Sequence, residues 1–195
     1  LNRWSSNMGN DFIRLDEDSI AHMTSYLKAM PQAIPKAIAR AMNRAISSAK
    51  TEASRSLRTK YTLKASTINE TMSLVRAKPN SLVAELKSRS YTASLPLNRY
   101  KVNPKRDTTG SPHRAVTIEI IKGKPFKLDK GFVWNGTVFS REGDERLPII
   151  KQTGPTVPQL LNSEKIMPQL QEYAQQSFEK RLSHEVDVLL KGKVK

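Results

Sequence analysis

Carboxylates set close together are the residues from which this chain could build hydrolytic chemistry, and two places offer them. Glu142, Asp144 and Glu145 cluster around Gly143, and a nuclease would need such a group to hold Mg²⁺ or a similar hard cation. Arg141 and Arg146 flank the three acids, so a solvated loop of self-compensated charge is the stronger reading. Glu119 and Lys122 are the second place. Three apart on an expected strand, they should point to opposite faces and share no active site. The three histidines, His22, His113 and His184, show no ligand spacing, and there is no cysteine. That argues against a metal centre and rules out thiolate chemistry and disulfides. No P-loop, GxGxxG or GxSxG motif is present, and eight glycines leave little for a phosphate-cradling loop. The chain reads as one that binds without catalysing, and it implies no cofactor.

Positive charge is the chemical feature that remains. Lys and Arg number 33 against 18 Asp and Glu, a net charge of +15. Residues 1–33 hold three basic and four acidic side chains, residues 34–130 hold 21 and six, and residues 131–195 hold nine and eight. The surplus therefore sits in the middle, where it would attract polyanions or acidic protein surfaces in a salt-dependent way. Candidate contacts to DNA or to an acidic partner are Arg40, Arg44, Arg58, Lys60, Lys64, Arg99, Lys101, Lys105 and Arg106. Arg40 and Arg44 lie one turn apart on an expected helix, where a solvated face is slightly favoured. Aromatic residues make up 6%, which weakens single-strand binding by stacking. Tyr61, Tyr91 and Tyr100 do lie among basic residues, and Tyr100 reads equally as a contact or as an anchor at the edge of the core.

Around these residues the chain has the means to fold. Its 195 residues are 37% hydrophobic and 26% charged, within the globular range. No apolar run approaches the roughly 18 residues of a membrane span, and no charged n-region precedes an apolar h-region at the start, so nothing argues for a membrane or for secretion. Asp16, Glu17 and Asp18 precede Ile20, Met23, Tyr26, Leu27 and Met30 at helical spacing, which predicts a short acidic helix in an N-terminal arm, residues 1–33. From Pro35 the residues Ala37, Ala41, Ala45, Ala49 and Ala53 form one stripe, predicting a long amphipathic helix to about Leu57 at the centre of a single domain spanning 34–195. Tyr61–Glu70 reads as a short helical turn. Residues 72–77 and 82–87 alternate about Lys78-Pro79-Asn80-Ser81 and predict a hairpin. Residues 88–114 lack periodicity and read as a long basic loop. Residues 115–121 predict a strand, and Asn135-Gly136 a two-residue hairpin turn. After an extended, proline-bearing connection at 147–162, Leu170, Ala174, Phe178, Leu182, Val186 and Leu190 predict a second long helix opening near Met167-Pro168. Helices, then strands, then a helix argue for an α+β fold, two long helices packed on a small antiparallel sheet.

The run from Pro35 to Lys50, with Ala41-Met42-Asn43-Arg44-Ala45 at its centre, resembles the opening helix of the prophage minor tail protein Z family. The basic stretch Arg58–Lys64 leading into Ser66-Thr67-Ile68, the proline-bearing 149–157 connection and the closing helix with Phe178, Leu182 and Leu190 are similar too. The resemblance spans roughly residues 33–192. It implies a structural subunit of a long-tailed phage, acting late in tail completion near the end that joins the head, located in the virion tail or neck after assembly in the host cytoplasm. The partners it implies are other copies in a ring, a hexamer being one such form, neighbouring tail or neck proteins, and non-specific DNA in the channel, with no membrane. No catalytic residues come with it. A general nucleic-acid-binding protein is the alternative, and a metal-dependent nuclease, resting only on Glu142–Glu145, stands further behind.

Overall fold

The alanine stripe becomes α1 (Ile34–Lys60), a 27-residue helix. Pro35 sits in its first turn, where a missing N–H costs nothing, and Arg58 and Lys60 occupy the last turn, opposite in sign to the partial charge there. Ala41, Ala45, Ala49, Ala53 and Leu57 are completely buried, as are Met42 and Ile46 beside them. Side chains this small let neighbouring backbone approach closely.

The computed structural model describes residues 11–15, 33–90, 92–105, 115–162 and 166–191. The chain divides into two compact units, with one boundary inside α1. The first comprises residues 1–53, 72–89 and 162–195. Its sheet has the order β1-β3-β2, formed by β1 (Asp11–Leu15), β2 (Met72–Val75) and β3 (Ala84–Ser88), all antiparallel. Leu74 stands opposite Leu86, and the connection between β2 and β3 is closed by reciprocal Lys78–Ser81 backbone hydrogen bonds of 2.9 Å each. Strand β1 is a departure from the sequence reading, which placed a short acidic helix and no strand in the N-terminal arm. Phe12, Ile13 and Leu15 are apolar but carry no regular alternation, and a bulge between Asp11 and Ile13 breaks the register on β3. That expected helix, including Asp16, Glu17 and Asp18, lies outside the described residues. The closing helix is α4 (Ile166–Lys191). Leu170, Ala174, Phe178 and Leu182 are buried along one side of it, and it packs against β1.

The second unit comprises residues 54–71 and 90–161. Short helix α2 (Ala65–Thr71) follows α1 and packs against α3 (Val157–Leu161). One three-stranded antiparallel sheet has the order β5-β6-β7, from β5 (Lys101–Asn103), β6 (Val116–Glu119) and β7 (Pro125–Leu128). A second has the order β10-β9-β8, from β8 (Gly131–Trp134), β9 (Thr137–Arg141) and β10 (Ile149–Lys151). Trp134 pairs with Thr137, leaving Asn135 and Gly136 between them at φ 45° and 66°, backbone angles that Asn and Gly tolerate best. A two-stranded ribbon joins β4 (Leu95–Pro96) to β11 (Thr153–Gly154).

The long loop expected at 88–114 is thus partly regular. Leu97, Tyr100 and Val102 are buried within it, on a 3-10 turn over Leu97–Arg99, at its C-cap and on β5 respectively. Pro96 and Pro104 interrupt any alternation there, so burial at three spaced positions leaves no periodic trace in the sequence. Residues 106–114 lie outside the described residues. Tyr100 is an anchor: its hydroxyl donates to the Pro155 carbonyl. Burial, and then the neighbouring Tyr61, push its pKa far above the usual tyrosine value, so it stays a neutral donor.

Candidate functional site

Where α1 ends, the chain does not leave the unit but runs beside the end of β6. The Thr62 N–H donates to the Ile120 carbonyl at 3.0 Å, the Lys122 N–H donates to the Lys60 carbonyl at 3.0 Å, and Tyr61 bridges to Ile121. The Thr62 hydroxyl donates to the Glu119 carbonyl and accepts from the Lys101 N–H at 3.2 Å. One threonine therefore ties together the exit from α1, the start of β5 and the end of β6.

That stitching brings four cations to one place. Arg58 and Lys64 come from either side of the helix exit, Lys101 from β5 and Lys122 from the turn after β6. With Thr62, Leu63, Ala65 and Glu119 they line an open depression of about 570 Å³. Glu119 holds a carboxylate at its edge. Lys101 Nζ donates to Glu119 Oε2 at 2.6 Å and the Gly123 N–H to Oε1 at 2.7 Å. The Lys101 bond first and the Gly123 N–H second hold this carboxyl below the usual carboxylate range; desolvation opposes them, and the charges of Lys101 and Lys122 add lesser lowering effects. It is an anion at neutral pH.

Glu119 and Lys122 were expected on opposite strand faces, and here the structure corrects the reading. β6 ends at Glu119. The following turn, with Gly123 at φ 77°, curls back over the carboxylate, so alternation no longer governs where Lys122 lies. Both residues line the same depression.

The other sequence candidates fall in different places. Arg40 Nε lies 3.0 Å from Glu185 Oε2 on α4, and that carboxylate is buried while the arginine side chain is about half exposed. Arg40 thus serves as the counter-ion of a buried acid within the first unit. Arg44 is exposed on α1. The Lys60 ammonium sits over the Tyr61 ring, 5.4 Å from its centroid. Arg99 and Lys105 are exposed near β5, and Arg106 lies outside the described residues. Lys122 is the cation that sequence reasoning missed as a candidate. Of the acidic trio, Asp144 bonds Lys130 Nζ at 2.7 Å, and that bond lowers its pKa. No group of three or more potential ligands is placed to hold a metal ion among the described residues. Nor is any described helix long and apolar enough to cross a membrane.

The charge is uneven between the two units. The second holds 16 Lys and Arg against seven Asp and Glu, the first 17 against 11. The chemistry on offer in the second unit is recognition of anions by clustered cations.

The family described as prophage minor tail protein Z matches residues 18–195. The chain belongs to that family, and with it to the structural components of the phage tail. No curated protein and no solved structure matches the chain.

Proposed function

We propose that this member of the family acts in tail completion at the head-proximal end, as a ring-forming subunit near the DNA channel whose contacts are made largely through the basic surface of the second unit. The observation that supports this reading is the convergence of Arg58, Lys64, Lys101 and Lys122 on one depression. A cluster of cations around a single carboxylate suits a charged partner surface and needs no base-specific contact.

Complementation in vitro tests the proposal. Extracts from a phage lacking this protein should yield heads and tails that fail to join into infectious particles, and added purified protein should restore joining. Normal yields of infectious particles without the protein would refute it. Light scattering should show a discrete oligomer at high protein concentration, and a strictly monomeric chain would refute the ring.

A second reading, general nucleic-acid binding, draws on the same net charge of +15. It predicts tight duplex binding by the isolated chain that weakens steeply with salt. Binding that is absent, or barely changed by salt, would dispose of it.

A further inference from the structure

We infer that the basic depression of the second unit receives the exposed carboxylates of the β9–β10 loop, residues 141–146, of a second copy of this chain. The inference rests on the ring-forming reading above and names the contact that builds the ring.

Two surfaces of the same unit carry complementary chemistry. The first is the depression, where Glu119 already shows which anion the cations accept: Lys101 grips its carboxylate at 2.6 Å. Arg58 and Lys64 have no carboxylate within ion-pair distance among the described residues. Leu63 and Ala65 add apolar atoms to its lining. The second surface is the loop, where Glu142, Asp144 and Glu145 outnumber the flanking Arg141 and Arg146 by one, all three acids are exposed, and Glu142 and Glu145 remain available while Asp144 pairs with Lys130. Directly after it come Leu147 at 67% exposure, Ile149 and Ile150, all apolar and open to solvent. One surface is thus cationic with some apolar lining, and the other carries exposed carboxylates with an apolar flank.

The apolar part favours protein over DNA as the occupant. Phosphates would satisfy the cations yet leave Leu147, Ile149 and Ile150 in water, whereas a protein contact buries them and gains their transfer free energy. The charges then set register and steer the encounter. Because a different patch is used on each side, the contact is head-to-tail. Such contacts close into rings when the rotation permits.

Charge exchange tests this on the full-length protein. One variant, E142K/E145K, reverses the loop without touching the Lys130–Asp144 pair. The other, K64E/K122E, reverses part of the depression without removing the Lys101 grip on Glu119. Circular dichroism first confirms that each is folded, and light scattering then measures assembly. Each variant alone should lose self-association by about tenfold or more, since like charges now face each other. An equimolar mixture should regain it, because the reversed loop of one fits the reversed depression of the other. Wild-type-like assembly by both variants would overturn this contact while leaving the ring standing. So would loss in both without recovery on mixing. Assembly unchanged in K64E/K122E, together with lost binding of duplex DNA, would overturn it in favour of DNA as the occupant. A wild-type chain monomeric at every concentration would remove the ring reading itself.

Discussion

Asn43 holds the first unit together through a pair of hydrogen bonds that a single substitution removes. Its Nδ2 donates to the Ala77 carbonyl at 2.9 Å, and its Oδ1 accepts the Ala77 N–H at 2.8 Å. In this way the side chain reproduces the pairing of a neighbouring strand and fixes residue 77, just after β2, to the middle of α1. Ala77 is 5% exposed, so water cannot readily replace the lost partner. Each bond contributes a net ~0.5–1.5 kcal/mol, and each orphaned buried group costs ~1–3 kcal/mol. Asn43 is itself only half-buried, and some water will reach the gap, so N43A should cost about 2–4 kcal/mol. With a urea m-value of about 2 kcal/mol/M, the midpoint falls by about 1–2 M.

Asn43→Asp separates the two bonds. The carboxylate still accepts the Ala77 N–H but sets a second oxygen against the Ala77 carbonyl, so this variant is also destabilised at neutral pH. Hydrogen exchange resolved at the Ala77 amide distinguishes them. Protection should be lost in N43A and retained in N43D. If the Ala77 amide exchanges equally slowly in wild type and N43A, or if N43A costs less than about 0.5 kcal/mol, the proposed tie between α1 and residue 77 is wrong.

Ala45, with no exposed surface, should not tolerate growth: A45L overpacks the helix contact and should cost about 1–3 kcal/mol by urea denaturation, while R44A on the exposed neighbour should stay within about 0.5 kcal/mol. A double-mutant cycle on Arg40 and Glu185 should give a coupling of about 1–2 kcal/mol, below that of a fully buried pair because half of the Arg40 side chain is in water. Glu119 should titrate by NMR below the ordinary 4.5; its folded value being depressed, its contribution to stability is complete above the ordinary value and is lost as pH falls through the folded one. Lys101→Met should move that midpoint upward, and an unmoved midpoint would show that Lys101 is not the main cause.

The two long helices are legible in the sequence because a four-residue stripe of small or apolar side chains persists for several turns in each, and burial follows it from Ala37 to Leu57 and from Leu170 to Leu182. β6 is legible for a similar reason, Val116 and Ile118 being buried on one face. Short strands escape such reading. β7 has no buried residue, β10 is exposed throughout, and β5 buries Val102 alone, so none of them repeats a pattern long enough to recognise. At the depression, Arg58, Lys64 and Lys101 stand out one by one as cations in basic segments. Their convergence does not, since it depends on Thr62 bonding at once to β6 and β5. Lys122 was hidden by the assumption that β6 ran past Glu119.

The residues that carry the sequence resemblance and the residues that suit a partner are different sets. Within Ala41-Met42-Asn43-Arg44-Ala45, two alanines and the methionine are fully buried, and Asn43 is spent on Ala77. Only Arg44 faces solvent. Such a motif can be kept by the demands of packing alone, whatever the subunit touches. The cations at the depression come instead from four separate segments, and nothing in the packing requires charge at Arg58, Lys64 or Lys122, each of which is exposed. Substituting these three should therefore leave the fold intact and alter assembly, whereas Asn43 and Ala45 should do the reverse. Stability and tail joining measured on both sets of variants would separate frame from contact surface, and equal loss of both in every variant would show that the division is false.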